Sequence, residues 1–146
     1  MSVVPEGFAP LVVTGGFRHL IGPIYRRDSS DVITLGLRIG AQHCNPNGMA
    51  HGGLLSAFAD IVLSYTLAER RQPMEIPLTL SLTTEFIAAA PLSAWLEGSA
   101  VIKKSGGGIN FATCEIRANS ALVAQASGVF KFRSPRHIAE KLARAD

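Results

Sequence analysis

Hydrophobic residues along this chain follow two periods, and the switch between them marks the elements. From Val32 to Ile39 they alternate, with Ile33, Leu35, Leu37 and Ile39 on one face and Thr34, Gly36 and Arg38 on the other. A period of two predicts a strand. Asn45, Pro46, Asn47 and Gly48 then form a turn signal. From about His51 to Ala68 the residues are apolar on nearly every side of a helix, which is the pattern of a buried one. The polar exceptions are ordered. Ser56, Asp60 and Ser64 fall at i, i+4 and i+8, and Gly52 extends the row backward into one narrow polar seam. A carboxylate on such a helix is costly unless it is paired or has a task.

The flanks complete the pattern. Met1 to Gly16 reads as a lead-in, with a short helix or loop around Phe8 to Val13, and packing begins over Phe17 to Gly22. Ile24 to Arg26 predicts a short strand, and Arg27 to Asp31 a polar turn. After the helix, Glu69 to Glu75 is a charged loop. From Leu78 the period is two again, with Leu78, Leu80 and Leu82 facing one way and Thr79, Ser81, Thr83 and Glu85 the other, until Pro91. Ser93 to Lys104 is a strand with Ala94, Leu96, Gly98, Ala100 and Ile102 inward. Ser105 to Gly108 is a glycine turn, and Ile109 to Ala118 is a strand with Ala112, Cys114 and Ile116 inward. Asn119-Ser120 suits a tight hairpin leading into a last strand, Leu122 to Phe132. The charged tail from Ser134 is helix-prone and is assigned no role. Strands, one long buried helix and a run of strands joined by short turns make an α+β fold with an antiparallel sheet, in a single domain over 1–146 with its core at about 22–133. An all-apolar helix needs a sheet curved around it, or a partner subunit, to cover its sides.

Composition narrows the function. The chain has 146 residues, 47% of them apolar and 17% charged, as in a globular protein. The net charge of +3 comes from scattered basic residues among few aromatics, which disfavours nucleic acid as the main ligand. A phosphate-bearing small molecule needs only a few cations. Cys44 and Cys114 make no disulfide framework and no metal-ligand spacing, and two sparse thiols suit a reducing cytoplasm. Met1 to Pro10 predicts no secretory leader. The apolar run Leu54 to Ala68 falls short of the ~20 residues that span a bilayer and carries Asp60 at its middle, so a membrane segment is not expected.

Asp60 is the strongest candidate for chemistry, as a partly desolvated base or nucleophile; the plainer reading is a satisfied helix carboxylate. Gly52 and Gly53 are poor helix formers at a helix start, where open backbone N–H groups at the positive end of the dipole can meet an oxyanion. Packing alone would also explain them. His51 reads as an orienting or capping residue, Asn45 as a turn former and Thr79 as a sheet residue. No Ser-His-Asp order or Gly-x-Ser-x-Gly elbow is present, and Ser105-Gly106-Gly107-Gly108 is no Walker loop. Lys103 and Lys104 beside that turn either meet a phosphate or end a solvated strand.

Taken in order, Asn45, His51-Gly52-Gly53 and Phe58-Ala59-Asp60 resemble the signature of PaaI-type hotdog-fold acyl-CoA thioesterases. The strand Leu78 to Phe86 followed by Ala90-Pro91 fits as well, as do Lys104-Ser105-Gly106 and Val123-Ala124-Gln125-Ala126. The resemblance spans about Gly22 to Arg133. It implies an antiparallel sheet wrapped around one central helix, no metal or redox cofactor, dimers that associate into tetramers, and an acyl-CoA substrate. By that resemblance Asp60 is the base or nucleophile, the Gly52 N–H polarises the thioester carbonyl, Asn45 and His51 orient groups at the site, and Thr79 positions water. Gly53, Phe86, Lys104, Ser105, Gly106 and Gly107 are the expected substrate contacts. Each site is shared by two protomers. The Gly106-Gly107-Gly108 run departs from relatives that carry a basic residue after the first glycine. An acyl-carrier-protein thioesterase, a non-catalytic acyl-CoA binding module and a hotdog dehydratase are the alternatives, the last of which would require a catalytic histidine paired with a carboxylate.

Overall fold

The computed structural model describes residues 3–12, 15–73 and 75–133. The tail from Ser134 lies outside the described residues. One long helix, α2 (Gly52–Glu69), packs on a seven-stranded sheet. In chain order the other elements are β1 (Ala9–Pro10), α1 (Gly16–Ile21), β2 (Ile24–Ser29), β3 (Val32–Arg38), β4 (Ile76–Phe86), β5 (Trp95–Lys104), β6 (Ile109–Ala118) and β7 (Ala121–Arg133). The strands lie in the order β1-β2-β3-β5-β6-β7-β4, and every neighbouring pair is antiparallel. This is the wrapped sheet expected of a hotdog fold.

Burial, not propensity, sets α2. Leu54, Leu55, Phe58, Ile61, Val62, Leu63 and Leu67 are all buried. Each contributes roughly 1.5–3 kcal/mol of transfer free energy, against the few tenths that a β-branched residue costs in a helix. Gly98 on β5 and Gly128 on β7 let the helix sit close. A Cβ at Gly98 would lie 2.6 Å from Val62, and one at Gly128 would lie 3.1 Å from Leu63 and 2.5 Å from the Phe130 ring. The apolar faces expected of β3, β5 and β6 are buried against this core, including Leu35, Leu37, Leu96, Ala112, Cys114 and Ile116. Asn119 and Ser120 both take positive φ (46° and 76°), the twist a two-residue hairpin requires.

The main correction concerns β4. Its pairing with β7 shifts by one residue between Thr79 and Ser81, so that Thr79 faces Phe130 and Leu82 faces Gly128 with Leu80 left over. This β-bulge reverses the alternation. Leu78 and Leu80 are 40% and 51% exposed, whereas Thr79 is turned toward α2. Leu78, Leu80 and Leu82 therefore do not share a face. At the other end of the chain, β1 and α1 replace the lead-in. Phe8 stacks edge-on against Trp95 (centroids 5.1 Å apart), and the chain then passes the sheet edge as β1 and lays α1 beside α2. Ile24 to Ser29 forms a full strand where a turn was expected from Arg27.

Candidate active site

The turn before α2 is built by Asn45. Its side-chain oxygen accepts the N–H groups of Asn47 (2.9 Å) and Met49 (3.3 Å), which closes the loop and leaves the side-chain NH2 as a donor. His51 caps the helix: its Nδ1 accepts the Gly53 N–H at 2.9 Å, so the neutral ring carries its proton on Nε2. The His51 carbonyl accepts from Leu54 and Leu55. With Gly53 spent on the cap, the Gly52 N–H is the donor at this terminus for which no partner occurs among the described residues. A side chain there would crowd Phe86, since a Cβ would lie 3.2 Å from its ring. Asn45, Gly52, Leu55 and Phe86 line one crevice of about 430 Å³. That crevice thus offers a fixed N–H and an amide NH2 to a carbonyl oxygen, beside an exposed aromatic ring.

Asp60 sits elsewhere. It is half-buried, and its Oδ1 accepts the Thr79 hydroxyl at 2.7 Å, a contact made possible by the β4 bulge. A second crevice, of about 340 Å³, opens on Asp60 between α1 and α2. Eight residues separate Gly52 from Asp60. At 1.5 Å and 100° per residue they stand roughly 12 Å apart along the helix and 80° apart around it. No single carbonyl can touch both within one chain. The described protomer therefore carries two candidate half-sites, Asn45 with Gly52 and Asp60 with Thr79.

Of the other expected contacts, Phe86 belongs to the first half-site, while the Lys104 to Gly107 turn lies at the far end of β5. There Asn110, fully buried, accepts from the Ser105 hydroxyl (3.0 Å) and the Gly106 N–H (3.1 Å). Those two groups are engaged internally, which leaves Lys104 and Gly107 open. Sequence reading did not single out Asn110, although it shares the inward face of β6 with Ala112. Burial pushes the Cys114 thiol up to about 12. Burial also lowers the His43 pKa; its Nδ1 accepts the Gly40 N–H at 2.9 Å and its Nε2 is buried with no hydrogen-bond partner among the described residues. Among the described residues no helix is long and apolar enough to cross a membrane, and no three His, Cys, Asp or Glu side chains cluster to hold a metal.

Comparison with known proteins supplies the class. The model of the thioesterase superfamily matches residues 47–124, which include α2, its two glycines, Asp60 and Thr79. The chain belongs to that superfamily. A Pseudomonas aeruginosa protein described as a candidate esterase is 40% identical over 131 residues, 89% of this chain and 98% of its own length. Among solved structures, the Escherichia coli PaaI protein from the phenylacetic acid degradation operon superposes with a TM-score of 0.71 at 18% identity, covering 81% of this chain and 84% of its own. A Bacillus halodurans protein solved with CoA gives 0.69 at 19% identity, covering 74% and 72%. In sequence the chain is placed in the thioesterase superfamily, and in fold it matches the PaaI protein and other hotdog thioesterases.

Proposed function

We propose that this protein hydrolyses acyl-CoA thioesters at sites shared between two protomers. The observation that carries this reading is the division of the candidate residues into two half-sites that one chain cannot bring together. Strand β4 offers the means to join them. It is eleven residues long, lies at the sheet edge with unpaired backbone groups, and is flanked by Leu78, Leu80, Phe86 and Ile87, each 40% exposed or more. Pairing two copies of β4 antiparallel about Thr83 sets Leu82 opposite the partner's Thr84 and Ser81 opposite the partner's Glu85. Because Leu80 is the extra residue, Thr79 then falls opposite the partner's Phe86. That register brings Asp60 of one protomer toward the other's Gly52 and Asn45.

In such a site Thr79 donates its proton to Asp60, which holds the carboxylate and leaves the hydroxyl's lone pairs to accept from a water. Asp60 takes a proton from that water as its oxygen attacks the thioester carbonyl. The developing oxyanion is received by the Gly52 N–H and the Asn45 NH2. Collapse breaks the C–S bond, and the CoA thiolate leaves with the proton that Asp60 took from the water, which returns Asp60 to its carboxylate. A preorganised N–H donor is worth on the order of a hundredfold in rate, and a positioned base a hundred- to ten-thousandfold. Lys104 and the Gly107 N–H remain to meet the phosphates of CoA. His51, whose Nδ1 is committed to the helix cap, is not paired with a carboxylate among the described residues, which disfavours the dehydratase reading. Dimers of these dimers, in a reducing cytoplasm, complete the proposal.

Complementation tests it. Asp60→Asn and Asn45→Asp, which keeps the acceptor oxygen of the turn, should each leave a folded and nearly inactive oligomer. Refolded together, about half the dimers are mixed, and half the sites in those are intact, so activity returns to roughly a quarter of wild type. Mixed dimers verified by native mass spectrometry but without recovered activity would place both residues in one chain's site.

A further inference from the structure

The crevice on Asp60 does not end there. A second one, of about 310 Å³, adjoins it and is lined by Phe17, Ile21, His43 and Leu54 among others; Phe17 and Ala57 border both. Together they form a groove between α1 and α2 that runs from the Asp60 carboxylate back toward the helix start. The α2 wall is ordered, since Leu54, Ala57 and Ile61 fall on one face at i, i+3 and i+7, and Asp60 lies one turn beyond Ala57. From Asp60 to Leu54 the wall is roughly 9 Å long. Its middle residue is a methyl, where either neighbour's side chain would fill the space. The α1 wall has no buried residue, and Phe17 stays 57% exposed above Ala57. Arg18, half-buried on the same turn, adds a long side chain of the kind that lays its methylenes on apolar surface and keeps its charge in water.

We infer that this groove holds the acyl chain of the thioester, with Ala57 as its floor and Phe17 as its cover, and that this pair sets the length of chain the protein accepts. The inference rests on the thioesterase reading, because the reacting carbonyl must lie at Asp60 for the chain to enter here. Polar groups stand at its two ends, Arg18 and Asp60 at one and Gln42, His43 and His51 at the other, while its middle and far wall are mainly apolar, and an elongated groove of this size suits a medium-length aliphatic acyl group. A short acyl group stops before Ala57, whereas a longer one passes beneath Phe17 into the second crevice.

The test uses full-length wild type, Ala57→Leu and Phe17→Ala, with two readouts. One is hydrolysis of butyryl-CoA and octanoyl-CoA. The other is calorimetric binding of the non-hydrolysable thioethers S-butyl-CoA and S-octyl-CoA. Ala57→Leu should lower the octanoyl-to-butyryl ratio of kcat/KM by about tenfold and weaken S-octyl-CoA by a similar factor, the scale of a steric mismatch in an apolar pocket, while S-butyl-CoA binds as before. Phe17→Ala, on an exposed helix that tolerates truncation, should weaken S-octyl-CoA by about fivefold through loss of apolar cover. It decides the matter should Ala57→Leu fail to fold. Unchanged chain-length ratios and unchanged S-octyl-CoA affinity in a folded variant would overturn the groove assignment, even with hydrolysis intact. Binding of S-octyl-CoA that depends on these two residues, without hydrolysis by wild type, would uphold the groove and remove the hydrolase reading instead.

Discussion

Asp60 is held by a single hydroxyl, and that makes Thr79 the sharpest probe of the carboxylate's role. Thr79→Val keeps the side-chain shape but removes the 2.7 Å hydrogen bond. A bond to a charged group is worth about 1.5–3 kcal/mol, so kcat should fall by roughly ten- to a hundredfold with KM little changed, and Thr79→Ser should restore most of it. Equal activity in the valine variant would mean the carboxylate needs no such positioning. His43 gives a second prediction, on stability. Its folded-state pKa is lowered by burial, so the unfolded chain takes up a proton that the folded one resists. The contribution is fully present above the unfolded value of about 6.5 and is lost as pH falls below it, toward the lowered folded value. Denaturant midpoints should therefore drop between pH 7 and 5, and less steeply in His43→Asn. Much of this level was visible in the chain itself. Asp60 stands out because it is the one charge inside an apolar helix whose only other charged residue, Glu69, ends it, and Gly52-Gly53 because glycines are unfavourable there. Asn45 closes the turn through its oxygen, as its residue type suggests, which leaves its nitrogen as a donor. The Thr79–Asp60 contact was hidden, because alternation placed Thr79 away from the helix and only the bulge turns it inward.

Elements were legible in proportion to the length of their period. β3, β5 and β6 alternate over enough residues to fix both extent and inward face, β7 enough to fix its extent, and α2 declares itself by being apolar all round. α1 spans six residues and β1 two, too few for any periodicity to show, and their positions are set by contacts with Trp95, β2 and α2 rather than by local preference. β4 has a clear period that a single extra residue puts out of step. The β5–β6 connection was read as a glycine turn, and Gly106, Gly107 and Gly108 do take positive φ. What holds that turn is Asn110, which accepts from Ser105 and Gly106 and lies against the Gly108 and Phe130 carbonyls. Replacing it by alanine removes these four contacts, of which only the one to the Phe130 carbonyl is buried, at a net cost of about 0.5–1.5 kcal/mol for each hydrogen bond lost. Asn110→Ala should accordingly lower the thermal midpoint by several degrees and raise hydrogen exchange at Gly106 more than at the Asn119–Ser120 hairpin. Uniform loss of protection across both turns would show that the asparagine supports the sheet as a whole rather than this connection.

At the scale of the molecule, the exposed β4 edge and the apolar residues beside it call for a second chain, and the proposed register supplies one. The hydrophobic pattern could suggest this only through a helix it leaves uncovered, and the rest came from the family resemblance, since nothing in a single chain's alternation encodes what lies across a twofold axis. The prediction belongs to the assembly: specific activity should hold constant at high protein concentration and fall as the chain is diluted below its dimer dissociation constant, with the half-point matching that seen by light scattering or mass photometry. Activity that persists in a separated monomer would rule out the shared site. The roughly 12 Å that divides Gly52 from Asp60 on one rigid helix then acquires a kinetic meaning. On the shared-site reading, a newly made chain would be inert however well it had folded, and hydrolytic capacity would emerge as the square of chain concentration until pairing saturated. Expression level would thereby act as a threshold on the reaction, without any effector or modification.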